Sequence, residues 1–139
     1  MIVLDTNVLS ALMQLEPEPR VVAWLDRQPS ESIWITSITL FEARMGLLLL
    51  PAGKRRQALE AALSVVLTDD LENRVLPFDD AAAMEAAGLA AQRQRAGRPV
   101  DFRDTQIAGI VQSRRAALAT RNVRHFADLS AAVINPWDA

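Results

Sequence analysis

The stretch Ile2-Val3-Leu4-Asp5-Thr6-Asn7-Val8 decides how the chain begins to fold. Its first three residues are apolar and largely β-branched, which predicts a buried strand that ends at Asp5. The next two residues, a threonine and an asparagine, are types that favour the start of a helix, so residues 8–13 predict a helix. The opening stretch therefore predicts a strand–helix unit with a carboxylate at the carboxyl end of the strand.

The rest of the chain repeats this alternation. Apolar runs predict further strands at residues 33–36, 74–78, 116–120 and 132–134. Helical spacing of apolar residues predicts helices after Pro19, over residues 38–49, 54–67 and 80–95, and from Asp101 onward. We expect Ser37 and Asp79 to cap two of these helices. Strands that alternate with helices favour an α/β domain with a mostly parallel sheet, and residues 1–139 predict a single domain.

Composition excludes several kinds of site. The chain has 139 residues with no cysteine and one histidine, which excludes disulfides, thiol catalysis and metal sites built from cysteine or several histidines. Lys and Arg number 15 and Asp and Glu 17, a net charge of −2 that disfavours a strongly basic module that coats nucleic acid. An enzyme that contacts nucleic acid locally remains compatible with this balance. Any chemistry must therefore use mainly carboxylates, hydroxyls, amides and arginines.

The sequence carries no signal for export or membrane insertion. No stretch approaches the roughly 20 apolar residues that a membrane span needs. The N-terminus has an acid at its fifth position and no basic region before an apolar run, unlike a secretory signal. We therefore expect a cytoplasmic protein with no membrane partner.

Three carboxylates, those of Asp5, Glu42 and Asp104, follow strands or lie in the first turns of the next helix. Each has a plain alternative: Asp5 as a helix cap, Glu42 as the partner of Arg44 or another arginine, and Asp104 as part of an acidic helix start with Asp101. A parallel sheet brings such positions to one edge, where three acids need a compensating cation. Oxygen ligands suit Mg²⁺ or Mn²⁺, and such ions serve phosphodiester hydrolysis by activating water.

Four segments in order give a more specific signal. They are Ile2-Val3-Leu4-Asp5-Thr6-Asn7-Val8, Thr36-Ser37-Ile38-Thr39-Leu40-Phe41-Glu42, Asp101-Phe102-Arg103-Asp104-Thr105-Gln106-Ile107-Ala108, and Leu118-Ala119-Thr120-Arg121-Asn122-Val123-Arg124-His125-Phe126. With them, the chain resembles PIN-domain proteins of the VapC/FitB toxin type over essentially its whole length. The resemblance implies a three-layer, Rossmann-like fold with a central, mostly parallel sheet flanked by helices. It also implies a Mg²⁺- or Mn²⁺-dependent ribonuclease that acts as a toxin and is neutralised by a cognate antitoxin.

The resemblance also assigns site residues. The metal-binding acids of the family correspond to Asp5, Glu42 and Asp104, and Asn122 stands where many members carry a fourth acid. An asparagine can hydrogen-bond a metal-bound water but brings no charge, so the implied site has three acids and a second metal is disfavoured. Three polar neighbours either orient Asp5 or a metal-bound water, or simply cap helices and turns: Thr6, Asn7 and Thr120.

Arginine outnumbers lysine 14 to 1. Four arginines in the site segments are candidates for contacts with RNA phosphates, with solvated surface as the alternative: Arg44, Arg103, Arg121 and Arg124. His125 invites a general-base role, which we disfavour because carboxylate–metal chemistry needs no imidazole. The run Leu47-Leu48-Leu49-Leu50 is apolar around nearly the whole helix, which suggests a homodimer contact or an antitoxin groove beyond the core.

Two other functions compete with the ribonuclease. In the first, the chain is a non-catalytic subunit of an antitoxin–DNA regulatory complex, and its acids hold an arginine from the DNA-binding partner. In the second, it is a receiver-like signalling domain. The sequence disfavours the receiver because its first strand ends in one acid, not an acidic pair, and its only lysine, Lys54, follows no strand.

Overall fold

The structure, a computed structural model, describes residues 1–139 and contains one five-stranded sheet. In chain order the strands are β1 (Ile2–Leu4), β2 (Ile33–Thr36), β3 (Val75–Leu76), β4 (Ala117–Ala119) and β5 (Val133–Ile134). The helices are α1 (Thr6–Met13), α2 (Pro19–Asp26), α3 (Ser37–Leu49), α4 (Lys54–Val65), α5 (Asp80–Arg95) and α6 (Phe102–Ser113).

All strand pairs are parallel, in the order β3-β2-β1-β4-β5. The strand formed by the opening stretch is therefore central, and Ile2 is in register with Ile33 on one side and Ala117 on the other. The predicted α/β fold with a central sheet flanked by helices is confirmed, and the sheet is wholly parallel. Because parallel strands align their carboxyl ends, residues that follow β1, β2 and β4 meet at one edge.

Two apolar clusters cover the two faces of the sheet. Neighbouring side chains of a strand point to opposite faces, so Leu4 packs into one cluster and Val3 into the other. Val8, Leu9 and Val21 from α1 and α2 join Leu4, as do residues of α3 and α4. The cluster around Val3 comes mainly from α5, α6 and β4. The central strand β1 is thus buried on both faces, and this fixes the position of Asp5, the residue directly after its carboxyl end.

Helices α5 and α6 pack closely at Gly109. A Cβ on this glycine would lie 2.6 Å from both the carbonyl oxygen of Ala82 and the Cβ of Ala86. No side chain fits there without a shift of the helices. Small residues therefore set the spacing of α5 and α6.

Several predicted boundaries differ in the structure. Thr36, not Ser37, caps α3: its Oγ1 accepts a hydrogen bond from the Thr39 N–H at 3.1 Å. The Ser37 hydroxyl instead accepts from the N–H of Phe78 at 3.3 Å. Helix α1 begins at Thr6 and is capped by Asp5. The helix predicted over residues 54–67 ends at Val65 and continues as a π-helical turn, Val66–Asp70.

None of the helices combines the length and the apolar character that crossing a membrane requires.

Candidate active site at the carboxyl edge of the sheet

The three acids singled out in the sequence lie at the carboxyl edge of the sheet. Asp5 directly follows β1, Glu42 lies in the second turn of α3, and Asp104 lies in the first turn of α6. Glu42 and Asp104 are both near enough to Asp5 to raise the pKa of its carboxyl group through charge repulsion. The fold therefore brings together carboxylates that are up to 99 positions apart in the chain.

Asp5 is the buried centre of this group, with 4% of its surface exposed. Burial is the main cause that raises its pKa, and repulsion from Asp104 and Glu42 adds to it. Two hydrogen bonds oppose the shift: the Thr120 hydroxyl donates to Oδ2 at 2.7 Å and the Thr6 N–H donates to Oδ1 at 2.8 Å. Asp5 is thus both a helix cap and a carboxylate that favours a nearby positive charge.

Glu42 is half-buried and held by a group of threonine hydroxyls. The Thr6 hydroxyl donates to Oε1 of Glu42 at 2.9 Å and lies 3.2 Å from the Thr39 hydroxyl. On the other side, Nη1 of Arg103 is 3.6 Å from Oε2 of Glu42. The partner of Glu42 is therefore Arg103 on α6, not Arg44 on its own helix.

Asp104 is held by a helix start and by the histidine. The Asp101 side chain accepts hydrogen bonds from the N–H groups of Arg103 and Asp104, so Asp101 caps α6. Nδ1 of His125 lies 3.2 Å from Oδ2 of Asp104. His125, for which we disfavoured a general-base role, contacts one of the three acids.

The predicted supporting residues surround Asp5 as well. Asn7 approaches Oδ2 of Asp5 with its amide nitrogen at 3.4 Å, and its Oδ1 accepts from the N–H of Arg121 at 3.1 Å. Thr120 accepts from the N–H of Asn122 at 3.1 Å, so Asn122 meets the site through its main chain. These contacts tie the end of β4 to the end of β1.

The donor set suits a hard divalent cation, since the acids offer only oxygen atoms and lie around a carboxylate whose pKa is raised. The side chains are not already gathered as a group of three metal ligands. Glu42 faces the guanidinium of Arg103 and Asp104 faces the imidazole ring of His125, so a nitrogen-bearing side chain contacts each of the two outer acids. Asp5, Glu42 and Asp104 are the residues that would hold Mg²⁺ or Mn²⁺.

The family model of the PIN domain matches residues 2–131. The chain belongs to the PIN domain family. It is 40% identical over 138 residues to VapC ribonuclease Y4jK of Sinorhizobium fredii, with 99% of both chains covered. It is 35% identical over 137 residues to toxin FitB of Neisseria gonorrhoeae, again with 99% of both covered. These findings confirm the resemblance read from the four segments.

Solved structures agree with the PIN assignment. The structure of FitAB bound to an IR36 DNA fragment matches with a TM-score of 0.88 and 34% identity, covering 99% of this chain and 96% of that chain. The similarity extends over the whole PIN fold, including the carboxyl edge of the sheet. The match to the PIN domain therefore excludes the receiver-like signalling domain that we considered as an alternative.

The four predicted phosphate-binding arginines of this PIN domain have different surroundings. Arg103 contacts Glu42, and the guanidinium of Arg121 lies 4.9 Å from the ring centroid of Trp137. Arg44 is exposed on α3. Arg124 lines a polar cleft that also contains Asp104 and His125. Arg103 and Arg124 are therefore the two candidates beside the acids, Arg103 through its contact with Glu42 and Arg124 through the cleft that it shares with Asp104.

Sequence reasoning missed the hydroxyls of Thr36 and Thr39. Both are fully buried and connect the end of β2 to Thr6 and so to Glu42. The sequence did carry a signal. Thr36 follows an apolar strand and precedes a helix, and threonine is a favoured helix cap whose side chain accepts from the N–H three residues later, here that of Thr39. This signal was hidden by Ser37, an equally suitable cap residue.

Proposed function

We propose that this PIN domain is a metal-dependent endoribonuclease that acts as the toxin of a toxin–antitoxin pair. The observation that carries the proposal is the buried Asp5 carboxylate with Glu42 and Asp104 beside it at one edge of the sheet. The names of the relatives, a VapC ribonuclease and the toxin FitB, support the same activity. The substrate we propose is RNA.

The acids divide into one fixed and two adjustable ligands. Asp5 is fixed by Thr120 and by the start of α1, whereas Glu42 and Asp104 lie at the rim. When bound, Mg²⁺ or Mn²⁺ would supply an activated water and offset the charge of the phosphate undergoing hydrolysis. Thr6 orients Glu42, and Asn7 and Thr120 orient Asp5. Since Asn122 brings no fourth carboxylate, we propose a single metal ion.

Two cationic side chains at the rim are placed to receive an RNA phosphate. Arg124 lines the cleft beside Asp104, and Arg103 lies at Glu42 with about half of its side chain exposed. Guanidinium groups bind phosphate oxygens in pairs, so either can hold the RNA backbone near the acids. In this proposal the net charge of −2 is the sum of an acidic site and of arginines at its rim, so it does not argue against RNA as the substrate.

Neutral isosteric variants of the acids test this activity. We expect Asp5→Asn, Glu42→Gln and Asp104→Asn each to lower Mn²⁺-dependent cleavage of total RNA by more than about 100-fold. This exceeds the roughly 10–100-fold loss of activity that is usual when a residue hydrogen-bonded to a metal ligand is replaced. Glu31→Gln, an exposed acid before β2, is the matched control and should cleave like wild type. Circular dichroism checks that each variant is folded. A folded acid variant with wild-type cleavage would refute the site.

A non-catalytic subunit of an antitoxin–DNA complex is the second candidate. It is favoured by the contact of Arg103 with Glu42, since an arginine is the group that such a subunit would hold with its acids. The solved FitAB relative bound to DNA agrees with a regulatory complex. Calorimetric titration with Mn²⁺ separates the two: wild type that binds no Mn²⁺ up to millimolar concentration, and cuts no RNA, supports the non-catalytic subunit.

We further propose a homodimer that binds a cognate antitoxin, and DNA only through that antitoxin. Leu47 is buried, but Leu48 and Leu49 are 65% and 77% exposed, so the chain itself leaves much of the leucine run uncovered. Phe41 and Met45 extend this apolar surface along α3. Light scattering after size-exclusion chromatography should give twice the chain mass at micromolar concentration. A 15.3 kDa monomer would refute the dimer.

A further inference from the structure

Arg93 is a buried cation on the apolar face of α5. It follows Ala82, Ala86 and Leu89 at helical spacing, and only 4% of it is exposed. A guanidinium in such a position costs free energy unless its N–H groups are paired. The contacts of Arg93 therefore indicate what the chain gains from burying it.

The carboxylate of Asp128 is the charged partner of Arg93. Nε of Arg93 donates to Oδ2 of Asp128 and Nη2 donates to Oδ1, both at 2.9 Å. This paired geometry requires the planar guanidinium and is lost with any other side chain. Arg98 adds a third contact to Asp128 at 3.1 Å.

The remaining N–H groups of Arg93 contact the two segments that hold Asp104. Nη1 donates to the hydroxyl of Thr105 at 3.0 Å, and Thr105 is the next residue after Asp104. Nη2 also donates to the main-chain carbonyl of His125 at 2.9 Å, and the His125 ring contacts Asp104. One guanidinium thus joins the chain beside Asp104 to the turn that carries its imidazole partner.

We propose that Arg93 is a positioning residue that sets where the Asp104 carboxylate lies relative to Asp5. This inference rests on the proposed function, in which Asp104 is a metal ligand. Arg93 itself is not a catalytic residue, since all of its contacts are with protein groups outside the three acids. Its effect passes through Thr105 on one side and through His125 on the other.

A purely structural role would not need this residue. The apolar cluster and the close contact at Gly109 already join α5 to α6. Buried ion pairs are often replaced by apolar residues without loss of stability. An apolar residue cannot supply the hydrogen bonds by which the Arg93 guanidinium contacts both Thr105 and His125, the residues beside Asp104.

The test compares the buried Arg93 with the half-buried Arg74. Arg93→Lys keeps the positive charge but removes the planar guanidinium. Arg74→Lys makes the same change at the amino edge of the sheet, where 14% of the Arg74 side chain is exposed. We expect Arg93→Lys to lower Mn²⁺-dependent RNA cleavage by about 10–100-fold. Arg74→Lys should keep wild-type cleavage, with both variants assayed at a temperature where both are folded.

A second readout does not depend on cleavage. His125 is the only histidine, so its Cε1–H signal is a single proton resonance in the metal-free protein. At fixed pH we expect Arg93→Lys to move this resonance toward its position in Asp104→Asn, and Arg74→Lys to leave it unchanged. If wild type cuts no RNA, the proposed function fails, while the resonance still decides whether Arg93 positions the pair.

The Thr105 hydroxyl gives an independent check if Arg93→Lys does not fold. Thr105→Val removes the hydroxyl at nearly constant shape, together with its hydrogen bond to the Asp101 carbonyl at 2.7 Å, and Thr105→Ser restores both contacts. We expect the valine variant to show the same resonance shift and a loss of cleavage of about 10-fold or more, which the serine variant partly or fully reverses. Wild-type resonance and wild-type cleavage in folded Arg93→Lys, or in Thr105→Val, would overturn the proposal.

Discussion

The two edges of the sheet each contain an arginine whose side chain is mostly covered, and the two arginines have different kinds of partner. At the amino edge, Arg74 donates to the main-chain carbonyls of Ile33, Ser30 and Asp70 at 2.6–3.2 Å. At the carboxyl edge, Arg93 donates to the side chains of Asp128 and Thr105 and to a single carbonyl. The same residue type therefore fixes main chain at one edge and mainly side chains at the other.

This difference separates stability from activity. Replacing Arg74 would remove the guanidinium hydrogen bonds to three main-chain carbonyls. The role of Arg74 is therefore to hold the start of β2 and the turn before β3 in place. Two partners of Arg93 adjoin Asp104, since Thr105 follows it in the chain and the His125 ring contacts it, so in our proposal a change at Arg93 moves the Asp104 carboxylate. We therefore expect changes at the amino edge to affect folding alone and changes at the carboxyl edge to affect both.

The largest effect on stability is expected at the amino edge. Arg74→Met removes three hydrogen bonds, two of them exposed to water that can replace them, and should lower the free energy of unfolding by about 2 kcal/mol. Urea unfolding measures this change. RNA cleavage by the folded fraction should equal that of wild type. A loss of cleavage beyond the loss of folded protein would show that the two edges are coupled.

A smaller and pH-dependent effect is expected for Asp128→Asn at the carboxyl edge. The hydrogen bonds from Arg93 are the main cause that lowers the pKa of Asp128 in the folded state. The stability that this carboxylate contributes is therefore complete above its ordinary value of 3.8 and is lost as the pH falls through the lower folded value. At pH 7 the variant should be about 1.5 kcal/mol less stable than wild type.

Urea unfolding of both proteins between pH 7 and pH 3 measures that difference. It should stay constant down to about pH 5 and shrink as the pH falls below 3.8. Taking the difference removes the opposite contributions of Asp5 and Asp70, whose pKa values are raised and which both proteins share. A difference that is unchanged at pH 3 would mean that the charge of Asp128 does not stabilise the fold.

Local signals in the sequence predicted the sheet and the place of the acids. Asp5 and Asp104 were recognisable because each stands beside a strand or helix boundary, and parallel strands bring such boundaries to one edge. Boundaries themselves were less predictable. Thr36 and Ser37 are both suitable caps, and only the path of the chain after β2 decides which one faces the Thr39 N–H.

Contacts between distant segments were not predictable from the sequence. Arg93 and Asp128 are 35 positions apart, and Arg103 and Glu42 are 61 apart, so their pairing depends on how the helices are rotated and packed. Arg93 did leave a signal, since a charge at the spacing of Ala82, Ala86 and Leu89 lies on a buried face and needs a buried partner. The identity of that partner required the fold.

The central position of β1 has a consequence for the newly made chain. The Thr120 hydroxyl that holds Asp5 is synthesised 115 positions after Asp5 itself. Strand β4 must be synthesised before β1 has both of its neighbours, so the carboxyl edge of the sheet is completed only after residue 120 has been made. A nascent or truncated chain that stops just before residue 120 contains all three acids but lacks the hydroxyl that holds Asp5 in place.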